Sequence, residues 1–337
     1  MIKQKKIGNR SSWLGTFLAL LLLCVVLAIV TPTTFLKADN LMNILKQTSV
    51  NALISTGMLV CLITAGIDLS VGANAIACTC LIGLLHTKGI DSIFVAIPAA
   101  LILGTIIGVI NGSLLTRLHL PHPFVSTLGM KNILAGAALL LVNSRMVSGF
   151  KEPIMWLGSY SIIKVPGFPG IPVSFILVIV LFAVMHIFLT KTALGRSIYC
   201  VGGNPEAARL SGINSANVLT FCYALSGFMC GIAAIVLIGR TSIANGANAI
   251  QPYDTDAIAA CIIGGASFMG GKGTMIGTMI GALIISVLRN GFTLLSASAA
   301  VQYVILGLVI IIAVLIDITR DRLDKKRRRL AAHKANT

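Results

Sequence analysis

Seven stretches of at least 18 residues contain no Asp, Glu, Lys or Arg, and this feature limits the possible folds more than any other. They are residues 11–36, 47–67, 69–87, 92–116, 165–190, 210–239 and 290–316. An α-helix needs roughly 20 apolar residues to cross about 30 Å of hydrocarbon, so each stretch can span a membrane. With 56% hydrophobic and only 11% charged residues, the chain is excluded from the class of soluble enzymes.

Three weaker segments are predicted to add further crossings. Residues 118–144 are interrupted only by Lys131, whereas 257–271 and 273–288 are shorter and rich in glycine. The prediction is an all-α, polytopic membrane protein with about ten transmembrane helices.

This prediction divides the chain into a basic N-terminus (1–10), a transmembrane domain (11–316) and a basic C-terminal tail (317–337). The net charge is +16, and basic ends remain in the cytoplasm by the positive-inside rule. Ten crossings place both termini and the loop 191–216 in the cytoplasm, and the loop 143–172 outside. Membrane lipid, rather than nucleic acid, is the partner expected from this basic charge.

Glycines recur every four residues in two segments, and this spacing gives a helix one smooth face. Such faces let helix backbones approach closely in a membrane, where apolar side chains gain little by association. We predict that the two series pack helices together: Gly104, Gly108 and Gly112, and Gly273, Gly277 and Gly281.

Polar residues within or beside the spans are candidates for a translocation pathway. A charge in a membrane costs on the order of 3 kcal/mol, so such residues usually face a cavity, a partner or the interface. The candidates are Asp68, Ser70, Asn74, Asp256 and Asn290. Asp68 can equally cap the following helix. The amides can also bond neighbouring helices, which is commoner than contact with a substrate, so both alternatives stay open.

Catalytic and metal-binding patterns are missing. The glycine-rich run ending in Lys272 lacks the spacing of a phosphate-binding loop, and Gly273 replaces the hydroxyl residue that would hold magnesium. The histidines are scattered along the chain and form no HExxH motif. We therefore predict no catalytic residue, no metal site and no resident cofactor.

The most distinctive motif lies in the segment 195–214. Asn204 is suited to cap a helix, Pro205 to begin it, Glu206 to oppose its dipole and Gly212 to follow its end. We predict a short helix outside the membrane. From these residues alone, it is equally a partner-binding knob or an ordinary capped loop helix.

Glu206-Ala207-Ala208 followed by Gly212 is similar to the EAA-type coupling segment of ABC-transporter permeases. From about Asn40 to Asp317, the chain resembles permeases of the ribose/galactose/arabinose class of ABC monosaccharide importers, within the branched-chain amino acid/sugar permease superfamily. Supporting stretches are Gly66–Gly72, Gly202–Asn214, Asp256–Ser267 and Gly270–Ala282. One departure is Ala266-Ser267-Phe268-Met269, where relatives often have Gly-Thr-Ser-Leu.

The resemblance implies an ABC importer permease fold in the bacterial inner membrane, present as two copies, with a homodimer expected. Its partners would be a cytoplasmic ATPase, which binds ATP and magnesium, and a periplasmic sugar-binding protein. The residues that would contact the ATPase are Gly203, Asn204, Pro205, Glu206, Ala207, Ala208, Arg209 and Gly212. The alternative is an ion-coupled secondary carrier in which Asp68, Lys131 and Asp256 form a relay.

Overall fold

The computed structural model describes residues 12–118, 120 and 122–336, so the predicted basic N-terminus at 1–10 lies outside the described residues. Within them the chain forms thirteen α-helices. These are α1 (Ser12–Val30), α2 (Ala38–Ile63), α3 (Val71–Thr87), α4 (Ile93–Thr116), α5 (Pro123–Leu141), α6 (Glu152–Ser159), α7 (Val173–Lys191), α8 (Ala193–Gly203), α9 (Pro205–Leu210), α10 (Ser215–Thr241), α11 (Tyr253–Ile263), α12 (Met275–Leu294) and α13 (Ala299–Asn336).

Short strands complete the described secondary structure. They are β1 (Val147–Ser148), β2 (Ser161–Ile162), β3 (Ile171–Pro172) and β4 (Ile243–Ala244), with a 3-10 helix at Gly246–Ile250. β1 pairs with β4 and β2 with β3, both antiparallel. The predicted external loop 143–172 therefore contains α6 and three strands, and β1 ties it to the segment after α10.

An all-α, multi-pass architecture is confirmed, whereas the number of crossings stays a prediction. Within the described residues, six helices are long and apolar enough to span a bilayer: α4, α5, α7, α10, α12 and the 299–319 part of α13. Residues 14–30 of α1 and all of α3 are shorter apolar helices. α11 has 11 residues and so covers only about 16 Å at 1.5 Å per residue.

Helix boundaries in the last third differ from the expected segments. α11 begins at Tyr253 and ends at Ile263, because the chain turns at Gly265 with a φ of +89° that side chains rarely adopt. α12 extends to Leu294, beyond the expected end at 288, and α13 continues into the predicted tail as far as Asn336.

The first glycine series lies in the contact between α4 and α10. A Cβ atom at Gly104 would stand 2.4 Å from the carbonyl oxygen of Gly227, and one at Gly108 only 2.1 Å from that of Tyr223. Gly112 faces the same backbone at 2.7 Å. The two backbones therefore touch over about two turns, with no room for a methyl group.

The second series joins α12 to α11. A Cβ at Gly277 would stand 1.9 Å from the carbonyl oxygen of Gly264, and one at Gly281 1.9 Å from that of Ala260. Gly273 precedes α12 and faces a leucine side chain of α2 at 2.8 Å. Helices α2, α11 and α12 thus form a second tightly packed group.

Candidate functional site

Helices α8 and α9 form one capped unit. Thr192 Oγ1 accepts a hydrogen bond from Gly195 N (3.0 Å) at the start of α8. Asn204 ends α8 and begins α9, where its Oδ1 accepts a hydrogen bond from Ala207 N (3.0 Å). Pro205 occupies the first position of α9. The short helix and cap predicted from the sequence are confirmed.

The free surface of α9 carries an ion pair and an apolar side chain. Arg209 Nη2 lies 2.7 Å from Glu206 Oε1, and its Nε donates to Glu206 Oε2 at 3.0 Å. This hydrogen bonding holds the pKa of the exposed Glu206 carboxyl below its usual value and raises the pKa of Arg209. Leu210 is 74% exposed, and Gly212 reverses the chain with a φ of +80°. The unit therefore presents a rigid, mixed surface away from the bundle.

The other side of α8 touches the transmembrane bundle through backbone atoms. A Cβ at Gly202 would stand 1.7 Å from the carbonyl oxygen of Ile63, the last residue of α2. That oxygen accepts a hydrogen bond from Gly271 N at 2.7 Å. Tyr199 OH donates to the carbonyl oxygen of Gly273 at 2.8 Å. We name this contact of α8, the end of α2 and the segment before α12 the α8 junction.

Asp68 lies inside the bundle with 1% exposure, between α2 and α3. Its Oδ1 accepts hydrogen bonds from Ser70 N (3.0 Å) and Ser70 Oγ (2.6 Å), and its Oδ2 accepts one from Ser226 Oγ of α10 (3.1 Å). Asn111 Nδ2 of α4 donates to Ser70 Oγ at 2.8 Å. The carboxylate thus bonds Ser70, which precedes α3, and Ser226 of α10, and Ser70 connects it to α4.

Two predicted pathway amides bond to other helices. Asn74 Nδ2 donates to the carbonyl oxygen of Gly104 at 3.2 Å. Asn290 and Asn40 exchange amide hydrogen bonds of 2.7 and 3.1 Å between α12 and α2. These contacts correspond to the interhelical alternative.

Two ion pairs lie where α11 begins. Arg289 binds Asp256 with two of its nitrogens, Nε to Oδ2 at 2.6 Å and Nη2 to Oδ1 at 2.8 Å. Lys131 Nζ of α5 lies 2.6 Å from Asp254 Oδ2. Asp256 and Arg289 line a polar cavity between α2, α11 and α12, and Asp256 is the one pathway candidate that does so.

Sequence reasoning missed Arg289, because the charge ended one apolar run and was assigned to a connection between helices. The structure places it inside α12. The available signal was the presence of an acidic residue, Asp256, and a basic residue, Arg289, in consecutive membrane segments. Among the residues that the structure describes, no group of three or more His, Cys, Asp or Glu could hold a metal ion.

Apolar helices joined through glycine faces, charged pairs in the interior and a capped helix pair at one end are typical of a multi-pass membrane protein. Residues 40–314 match the family model described as the permease component of the branched-chain amino acid transport system. The chain belongs to this family.

Curated relatives match nearly the full length. The ribose import permease protein of Escherichia coli K12 is 39% identical over 325 residues, covering 94% of this chain and 99% of its own length. That of Bacillus subtilis is 38% identical over 311 residues, covering 90% and 92%. The galactose/methyl galactoside import permease protein of E. coli K12 is 35% identical over 324 residues, covering 90% and 93%. No solved structure gives a significant match.

Proposed function

We propose that the chain is the membrane-spanning subunit of an ATP-driven importer that moves a monosaccharide across the bacterial inner membrane. The names of its relatives support a sugar as solute. In this proposal a periplasmic protein delivers the sugar, a cytoplasmic ATPase binds ATP and magnesium, and a second copy of the chain completes the passage as a homodimer. Both termini lie in the cytoplasm.

The observation that carries the proposal is the backbone contact at the α8 junction. Closure of the ATPase on ATP would push α9, and the α8–α9 unit would move as one body, because Asn204 joins the two helices. Since Gly202 lies against the Ile63 carbonyl, a displacement of α8 moves α2 and the segment before α12 directly. The partner thereby biases the bundle between two packings, one open to each side.

Asp256 remains the pathway candidate with access to a cavity, and Asp68, Ser70, Asn74 and Asn290 act in this proposal as the fixed frame around it. A proton or cation relay through Asp68, Lys131 and Asp256 has less support. Lys131 pairs with Asp254, and Asp256 pairs with Arg289.

The test is uptake of labelled ribose into proteoliposomes that contain the chain with its ATPase and binding protein. Uptake is expected only with ATP on the ATPase side. Glu206→Ala is expected to lower the uptake per ATP hydrolysed, because it removes the charge pair from the contact surface of α9. Glu152→Ala is the matched control, since Glu152 is also an exposed glutamate in the first turn of a short helix.

Two results would contradict the proposal. One is sugar uptake by the chain alone, driven by an ion gradient, which would establish the secondary carrier. The other is an unchanged ratio of uptake to hydrolysis in both Glu206→Ala and Gly212→Val, which would remove the coupling role of α9.

A further inference from the structure

A polar cavity of about 170 Å³ lies between α2, α11 and α12. It lies away from the α8 junction, because Asn51 precedes Ile63 by about 18 Å of helix. Its lining includes Gln47, Asn51, Tyr253, Asp256, Ser286 and Arg289. If α9 faces the cytoplasm, the cavity lies in the outer half of the membrane domain, where a delivered solute enters.

Two side chains in this lining are buried without hydrogen-bond partners among the described residues. Asn51 is 6% exposed, and neither its Oδ1 nor its Nδ2 has a partner. Ser286 is 1% exposed, and its Oγ has none either. A buried polar atom without a partner is destabilising, and because these atoms line a cavity, a ligand or water held there can satisfy them.

The chemistry of these atoms selects the kind of ligand. Asn51 offers an acceptor oxygen and an NH2 group with two donors, and a hydroxyl group can bond to either because it donates and accepts. An ionised carboxylate has no proton and therefore cannot donate to the amide oxygen. Neutral, hydroxyl-rich solutes therefore fit this pair of atoms better than ionised carboxylates do.

Three charged side chains line the cavity, and two of them form an ion pair. Arg289 is neutralised by its two hydrogen bonds to Asp256. Arg240 also lines the cavity and lies in the last turn of α10, where the helix dipole is negative. The side chain of Tyr253 and the ring of Pro252 add apolar surface for the carbon atoms of a sugar.

We propose that this cavity is a carbohydrate-binding subsite of the permease, in which Asn51 and Ser286 bind hydroxyl groups of the passing sugar. The assignment rests on the proposed import function and gives that function a location. The competing occupant is water alone, which a polar cavity of this size also holds.

The experiment compares Asn51→Leu and Ser286→Ala in the complete importer, with Ser174→Ala as control. Ser174 carries another buried Oγ without a partner, in α7 and outside the cavity. Ribose uptake under limiting sugar is expected to fall about tenfold in Asn51→Leu and about threefold in Ser286→Ala. The control is expected to retain wild-type uptake.

Thermal unfolding of the purified chains separates ligand binding from a structural role. Asn51→Leu is expected to melt at the wild-type temperature or above, because the substitution removes polar atoms that no protein group satisfies. A lower melting temperature would indicate a protein partner for Asn51 and overturn the proposal. Wild-type uptake in both Asn51→Leu and Ser286→Ala would assign the cavity to water.

Failure of the proposed function gives a different result. Wild-type complexes would then show no ATP-dependent uptake of ribose at all. If the wild-type complex takes up ribose and the variants do so equally well, the subsite proposal is refuted and the import function stands.

Discussion

Replacement of Gly202 by alanine tests the α8 junction directly. The added Cβ would lie 1.7 Å from the carbonyl oxygen of Ile63 and 2.9 Å from Gly271 N. Both neighbours are backbone atoms, which cannot rotate away as a side chain can. Helix α8 and the end of α2 must therefore separate by roughly 1.7 Å before they reach ordinary van der Waals distance.

This separation has two energetic consequences. Overpacking of this kind costs about 1–3 kcal/mol. If the end of α2 moves rather than α8, the displacement also breaks the 2.7 Å hydrogen bond from Gly271 N to the Ile63 carbonyl oxygen. That loss adds about 1 kcal/mol, so we expect a total of about 1–4 kcal/mol against the docked arrangement.

The assay is the apparent melting temperature of the purified chain in detergent, followed by the ratio of uptake to ATP hydrolysis in the complex. Gly202→Ala is expected to lower both values. The adjacent Gly203→Ala is the control for melting, because a Cβ there meets nothing within 4 Å and alanine favours the helix by about 0.5–1 kcal/mol. If Gly202→Ala and Gly203→Ala both had melting temperatures at or above that of the wild type, α8 would not be docked as described.

Three further substitutions have defined outcomes. Gly108→Ala should lower the melting temperature, since its Cβ would stand 2.1 Å from a carbonyl oxygen of α10, whereas Gly136→Ala in open space should not. Asp68→Asn should retain ATP-dependent uptake, because an amide oxygen can accept both hydrogen bonds from Ser70. Asp68→Leu should abolish uptake, because leucine accepts neither bond. Loss of uptake in both variants would show that the negative charge of Asp68 is needed. Asn204→Ala should destabilise α9 by about 1 kcal/mol and speed its amide hydrogen exchange, while Asn204→Asp preserves protection.

Features determined by neighbouring residues could be predicted from the sequence. The cap at Asn204, the proline that follows it and the chain reversal at Gly212 all act within one short segment. The apolar runs likewise predicted where most long helices lie. In both cases the deciding interactions are local or depend only on the solvent around a single helix.

Features determined by distant residues could not be predicted in this way. Gly202 was visible in its motif, but nothing nearby indicates that its neighbour is Ile63. Asn51 and Asn290 look alike as amides in apolar runs. The structure distinguishes them, because Asn290 bonds Asn40 and Asn51 lines the cavity without a partner. Such differences arise only when helices meet.

Helix α11 is about half as long as a membrane-spanning helix, and this affects how many crossings a hydropathy plot detects. Before it, residues 245–252 run alongside α3: Ala244 packs at the Gly83 end of α3, and Tyr253 packs at the Gly72 end. On the prediction of ten crossings, one passage through the bilayer is divided between a segment that contains the 3-10 helix, sheltered by protein, and 11 helical residues. A hydropathy plot averaged over a window as long as a whole span does not separate these two halves. Omitting this passage reverses the parity of the crossings, and a reporter fused at the carboxyl end would then be assigned to the opposite compartment.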